Sequence, residues 1–430
     1  MKSNIKVVTE NFRAIGHAAI QINGITVVAG ENSSGKSTIS KLLYELFNTV
    51  ANYEILVKEE LMREFSKLFQ FFEIVYTDSK GILDRKEYSK IVDLSYEYNY
   101  KNKSFEEIKD LLSVFLSEIY SKIDVTKSSR YNYIVSNILG DEIDNTLENI
   151  ISFINQKIKK AIDKVHLRPI SLFTEKLLNV FRDENLPKSF EVSEEKEVIV
   201  SLEKPTLSIP FSVQKAIYID SPMSLGAGSS SNKHWSDLTK FIFFEDKNFS
   251  DFHNNDIYTS ISKNIKGEAV KFTLGTLSTL TFLREDGKEF NLTEVATGIK
   301  AFSIIQLLLK NGHIDNRTLL IIDEPESHLH PQWIVEYARM IVLLHKHIGV
   351  KFFLASHNPD MVSAIRYIAE KEGVLDNVNY YLAEKAEGEA YLYNYIPLGS
   401  DISPIFKSFN IAIERISQYS IDSDNEDDDL

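Results

Sequence analysis

The residues of this chain best suited to chemistry stand near its start, where Gly30-Glu31-Asn32-Ser33-Ser34-Gly35-Lys36-Ser37 fits the pattern G-x-x-x-x-G-K-[ST]. Glycines at the first and sixth positions let successive backbone N–H groups curl around a phosphate. A helix that begins at the lysine adds the partial positive charge of its N-terminus. In such a loop Lys36 bridges the β- and γ-phosphates of a nucleotide and Ser37 offers its hydroxyl to Mg²⁺, while Gly30, Asn32, Ser33, Ser34, Gly35 and Thr38 complete the cradle. The pattern carries meaning only between a buried strand and a helix. Here the apolar run Ile25-Thr26-Val27-Val28-Ala29 precedes it, and Ile39, Leu42, Leu43, Leu46 and Phe47 follow at three- and four-residue spacing. The expectation is a P-loop that takes ATP and Mg²⁺.

A phosphate loop of this kind needs a carboxylate brought to the magnesium from a second strand. Leu319-Leu320-Ile321-Ile322 runs into Asp323-Glu324, four apolar residues and then two acids at a strand end. Asp323 is expected to hold Mg²⁺ and Glu324, beyond the strand, to act as general base for water. A third strand-like run, Phe352-Phe353-Leu354-Ala355, ends in Ser356-His357-Asn358-Pro359. By itself His357 reads equally as a ligand contact or as a histidine satisfied at the strand end. His328 and His330, two positions apart and without a matched third ligand, read as loop packing rather than a metal site.

Composition narrows the classes further. In 430 residues there is no cysteine, which excludes disulfides, thiolate catalysis and every zinc or iron–sulfur site that needs sulfur. Mean hydropathy is -0.17, no apolar run approaches a membrane span, and the N-terminus enters a strand pattern directly, so a cytoplasmic protein with no membrane contact is expected. Net charge is -14; the stretch 417–430 holds six acids and no base and reads as a disordered acidic tail. This balance disfavours wrapping nucleic acid over the whole surface.

The elements that must position these residues can also be read. Alternating segments at Ile5, Val7, Phe12 and at Ala18, Ile20, Ile22 predict an N-terminal antiparallel meander. All ten prolines lie from Pro169 onward, so long helices can occupy the stretch before it. One helix opens on the capping box Ser104/Glu107; another carries Ile143, Leu147, Ile150, Ile151, Ile154 and Ile158. Residues 51–186 are therefore assigned to a helical insertion between core parts 1–50 and 187–416. Its Lys157, Lys159, Lys160, Lys164 and Arg168 form a basic cluster, read first as a solvated face and second as a DNA contact. Its aromatics, among them Phe65, Phe69, Phe71, Phe72, Tyr96, Tyr98 and Tyr100, exceed what one helical hairpin buries. After Pro187 come strands, a Gly/Ser-rich loop at 226–232, and then alternating helix and apolar strand. That rhythm predicts an α/β fold with a mostly parallel central sheet.

Asp323-Glu324-Pro325-Glu326-Ser327-His328-Leu329-His330-Pro331, followed by Ala355-Ser356-His357-Asn358-Pro359, resembles the ABC-type ATPases of the OLD and RecF-like kind. The resemblance covers roughly residues 1–50 and 190–415. It implies an ABC-type P-loop ATPase core, a D-loop over Pro325–His330 at a dimer interface, and His357 as the switch histidine that reaches the γ-phosphate. It also implies that a signature segment completes each site in trans. Val295-Ala296-Thr297-Gly298-Ile299-Lys300 is the candidate, with Thr297 and Gly298 as contacts because Ala296 stands where the family usually has Ser. No Gln marks the Q-loop; Asp220-Ser221-Pro222 occupies its place. The chain reaches its acidic tail without the TOPRIM nuclease that continues OLD proteins, and so is most similar to the free-standing ATPases of the Septu anti-phage family. That likeness implies a homo-oligomer built on ATPase dimers, a separate HNH nuclease (PtuB-like) as partner, and DNA contact through the complex. The ATPase of PARIS-like defence and a RecF-like repair ATPase without a nuclease are the alternatives.

Overall fold

The computed structural model describes residues 4–79, 81–140, 146–183, 185–220, 233–246, 255–274, 277–327, 329–407 and 417. The chain divides into two compact units, one of residues 1–51 and 170–430, the other of 52–169.

The first unit opens with β1 (Ile5–Phe12), β2 (Ile15–Ile22) and β3 (Ile25–Gly30), then α1 (Lys36–Ala51). The predicted meander is there: β1 and β2 pair antiparallel from Ile5↔Ile22 to Phe12↔Ile15. Every residue of β3 is buried, as its unbroken apolar run requires of a strand covered on both faces. On α1, Ile39, Leu42, Leu43, Leu46 and Phe47 are all buried, each contributing about 1.5–3 kcal/mol by leaving water.

The second unit is helical: α2 (Tyr53–Glu64), α3 (Ser66–Asp78), α4 (Arg85–Ser95), α5 (Glu97–Lys101), α6 (Phe105–Lys122), α7 (Ser129–Leu139) and α8 (Leu147–Leu167). The capping box of α6 forms on both sides: Glu107 N–H donates to Ser104 Oγ, and Ser104 N–H to Glu107 Oε2. Ile150, Ile154 and Ile158 of α8 are buried as their spacing predicts; Ile143 lies outside the described residues. Three of these aromatics are enclosed within the unit. Phe65, Phe71 and Phe72 are fully buried, Phe72 edge-on to Phe115 and Phe71 to Tyr131, because a multi-helix unit rather than a hairpin encloses them. Tyr96 stays exposed. The basic cluster is partly spent inside this unit: Lys157 pairs with Glu64 at 2.7 Å, Lys164 with Glu60 at 2.5 Å, and the Arg168 guanidinium lies over the Tyr53 ring.

The two ends of this unit meet, since Tyr53 Oη donates to the Pro169 carbonyl at 2.9 Å. A segment with its own core and adjacent ends should fold alone. The fragment 52–169 is expected to give a helical circular-dichroism spectrum and one cooperative thermal transition; a non-cooperative melt would show that it depends on the rest of the chain.

The first unit then resumes with α9 (Ser171–Phe181), β4 (Ser189–Glu194), β5 (Glu197–Ser201) and β6 (Lys215–Ile219). Residues 170–186, given to the insertion by sequence, belong here. Lys176 of α9 pairs with the buried Glu45 of α1 at 2.7 Å, and Phe181 packs edge-on against Phe12. Next come α10 (Lys233–Phe243), α11 (Asn255–Ile265) and the hairpin β7 (Gly267–Leu274) and β8 (Leu277–Arg284), with β9 (Glu289–Asn291) paired to β8. The unit ends with α12 (Thr297–Lys310), β10 (Thr318–Asp323), α13 (Pro331–Ile348), β11 (Lys351–Ser356), α14 (Pro359–Lys371), β12 (Val378–Lys385) and β13 (Tyr393–Pro397).

Among the described residues the main sheet has ten strands in the order β5-β4-β1-β2-β13-β12-β3-β11-β10-β6. From β12 to β6 every neighbouring pair is parallel; from β5 to β2 every pair is antiparallel. This is the expected α/β architecture, an antiparallel N-terminal part feeding a parallel centre. Parallel strands end on the same edge, so the loops after β3, β11 and β10 emerge together. The registers Ala29↔Ser356 and Asp323↔Ala355 fix this alignment.

Candidate nucleotide site

Residues 30–37 wrap between β3 and α1 in the conformation their glycines permit. Gly35 has φ +93°, where a side chain is strained, and a Cβ there would stand 3.0 Å from Ile15 Cγ1, close enough that the isoleucine would have to give. Ser33 also takes a positive φ of 66°. The Thr38 and Ile39 N–H groups donate to the Gly35 carbonyl and start the helix. From β13, Tyr395 Oη donates to the Ser34 carbonyl at 3.0 Å, a brace with no sequence signal.

Lys36 is buried, and its Nζ donates to the Gly30 and Glu31 carbonyls at 2.8 and 2.7 Å. Burial holds its pKa below the usual 10.5, opposed chiefly by the nearby Glu324 and Asp323 carboxylates. One turn along α1, Ser40 Oγ donates to Asp323 Oδ1 across 283 positions of sequence. Tyr218 Oη, from the neighbouring β6, donates to Asp323 Oδ2 at 2.7 Å. Burial pushes the Asp323 carboxyl above its ordinary range, while hydrogen bonds from Ser40, Tyr218 and Ser37 pull it back. The Ser37 hydroxyl and the Asp323 carboxylate thus lie side by side. As a pair of hard oxygen donors they fit Mg²⁺.

Glu324 follows directly and takes φ +49°, in the left-handed region that a non-glycine residue enters at a cost of order 1–3 kcal/mol. Its N–H donates to the Ala355 carbonyl at 2.8 Å, and the turn leaves its side chain half exposed, open to water. An open pocket of about 340 Å³ is lined by Asn32, Ser33, Gly35, Lys36, Ser37, Thr38, Asp323 and Glu324, with Arg13, Ala14 and Ala355 as further walls. Sequence reading missed Arg13 and Ala14. They sit at the β1–β2 turn, which nothing in the local pattern ties to the P-loop.

His357 stands just beyond β11, with Nδ1 3.9 Å from Glu324 Oε1 and 3.3 Å from Glu326 Oε1. Glu326 is the largest omission of the sequence reading, which left it inside a loop; its side chain is 3% exposed and reaches the end of β11. His330 caps α13, its Nδ1 accepting from Gln332 N–H; His328 lies outside the described residues. Among the described residues no group of three or more His, Asp or Glu is placed to hold a metal.

Thr297 and Gly298 lie outside this pocket, at the start of α12, with Ala296 in the N-cap position and no side-chain cap. Gly298 is needed for packing as well: a Cβ would come within 2.4 Å of the Trp333 ring. Asp220 ends β6 and accepts from Trp235 Nε1 and pairs with His234 Nε2 at 2.9 Å. Ser221, Pro222 and the Gly/Ser-rich loop at 226–232 fall outside the described residues, as do 408–416 and all of the acidic tail except Ser417.

A phosphate loop after β3 and the paired carboxylates Asp323 and Glu324 at the end of β10, with one strand between them in the same parallel sheet, define a P-loop ATPase. Residues 25–363 match the family described as "AAA domain, putative AbiEii toxin, Type IV TA system", and the chain belongs to this family. No curated protein matches it. Among solved structures it is similar to the SMC head domain from Thermotoga maritima, at 12% identity and a TM-score of 0.36, over 92% of this chain and 98% of that one. It is likewise similar to an Smc head domain with an extended coiled coil from Pyrococcus furiosus, at 10% identity and TM-score 0.35, over 96% and 99%. The ATP-binding cassette of an ABC transporter, in its ADP conformation, follows at 10% identity and TM-score 0.31, over 89% and 87%. Among the described residues no helix is long and apolar enough to cross a membrane.

Proposed function

We propose that this chain is the ATP-hydrolysing subunit of an anti-phage defence complex, of ABC type and most like the PtuA ATPase of the Septu system, whose nucleotide state controls a separate HNH nuclease of the PtuB kind. The observation that carries the ATPase part is the pairing of a buried Asp323 with a solvent-open Glu324 beside Lys36 and Ser37. Lys36 and the N–H groups of 32–38 bind the phosphates, Ser37 and Asp323 hold Mg²⁺, and Glu324 takes the proton of the attacking water. Bound Mg²⁺ would neutralise charge on the phosphates. His357, next to Glu324, serves the γ-phosphate. Thr297 and Gly298 have no phosphate to meet within their own pocket, which supports a role across a dimer. The defence part is supported by the family's toxin–antitoxin description and by the Asp323–Pro331 and Ala355–Pro359 segments.

Two measurements test this reading. Light scattering with a non-hydrolysable ATP analogue is expected to give a dimer or higher oligomer, and a strict monomer would remove the role in trans. Co-expression with the neighbouring gene, purified through a tag on this chain, is expected to yield a stable complex with a short HNH protein. A TOPRIM partner would point to a PARIS-like system instead, and DNA cleavage by this chain alone would overturn the division of labour.

A further inference from the structure

Glu326 is a buried carboxylate that the reaction scheme above does not use. The left-handed turn at Glu324 sends the chain back over the end of β11, and both oxygens of Glu326 are spent there. Oε2 accepts from Ser356 Oγ at 3.0 Å and Oε1 from His357 N–H at 2.9 Å. Oε1 also lies 3.3 Å from His357 Nδ1. The loop is fixed on its far side too, because Asn358 N–H donates to Ser356 Oγ and the Asn358 side chain caps α14 through Asp360 and Met361 N–H. Among the described residues no Lys or Arg pairs with Glu326.

Burial strips hydration from an anion there and raises its pKa. A neutral amide has a single acceptor oxygen and could not serve both donors as the carboxylate does. The carboxylate also places its charge 3.3 Å from His357 Nδ1, a buried nitrogen that makes no hydrogen bond of its own. A negative charge facing Nδ1 favours the proton on that nitrogen and leaves Nε2 as the nitrogen available to a ligand.

We propose that Glu326 is a positioning residue for hydrolysis: clamped to Ser356 and the His357 backbone, it sets the His357 ring relative to Glu324 and the nucleotide. The inference rests on the reading of this pocket as an ATP-hydrolysing one. Loss of a second-layer partner displaces a reacting geometry without removing a ligand contact, so the effect falls on turnover and not on binding.

The test is a double-mutant cycle on the full chain, reading kcat and KM for MgATP. Glu326→Ala is expected to lower kcat on the order of 10- to 100-fold with KM changed less than about two-fold. In a His357→Ala background it is expected to cost little more, because the histidine it positions is gone. Glu326→Gln, which keeps one acceptor oxygen for the His357 N–H but no charge, is expected to recover part of the rate. Should Glu326→Ala fail to fold, Ser356→Ala, which frees Oε2 and removes the acceptor of Asn358 N–H, carries the same cycle. Wild-type turnover in Glu326→Ala, or losses that simply add in the double variant, would overturn the proposal while leaving the ATPase reading intact. No hydrolysis by the unaltered chain would overturn both.

Discussion

Replacing Glu324 by Gln is expected to slow ATP turnover by a factor on the order of 10²–10⁴, the usual worth of a positioned general base. Gln has the same shape and can hold the same backbone turn, so the Ala355 contact of its N–H and the fold of the pocket persist. Asp323, Ser37 and Lys36 are untouched, and nucleotide affinity should stay within about two-fold of the unaltered chain. What disappears is the one carboxylate of the pocket that is open to water. Phosphate release measured beside titration of a fluorescent ATP analogue separates the two effects. An unchanged rate in Glu324→Gln would remove Glu324 as the base.

Lys36→Ala acts at the other end of the reaction. The Lys36 ammonium is buried against two carbonyls, with a pKa held below 10.5 by desolvation. A lysine whose folded pKa is lowered is destabilising while protonated, and that contribution fades as pH rises through the folded value. Removing the charge should therefore cost the empty protein little. The loss appears on adding MgATP, because the phosphates are the partner for which the charge is kept. At a nucleotide concentration about 100 times Kd the unaltered chain gains about 2.7 kcal/mol, read as a rise in melting temperature. In Lys36→Ala this rise should vanish. A full nucleotide-induced shift in the variant would mean that ATP binds elsewhere.

Much of this site was legible because its key groups announce themselves locally. The loop 30–37 and the acids at 323–324 each sit at the end of an apolar run of strand length, and a parallel sheet brings such ends to one edge. The groups that tune them left no such mark. Ser40 could have been suspected, being one helical turn beyond Lys36, but Tyr218, Arg13, Tyr395 and Glu326 act through the order β3-β11-β10-β6 and the return of β13 beside β2. No spacing along the chain encodes that order. The burial of aromatics in 52–169 left no mark for a related reason: it depends on how many helices enclose them, and pattern within each helix does not say. Likewise α9 reads as one more helix of the insertion until its buried Lys176–Glu45 pair with α1 is seen.

Magnesium-dependent phosphate release by the purified chain decides whether this pocket hydrolyses ATP. The expected result is release from ATP in the presence of Mg²⁺ that is abolished by chelation and by Lys36→Ala. Absence of release from the unaltered chain, or release that persists in Lys36→Ala, would contradict it.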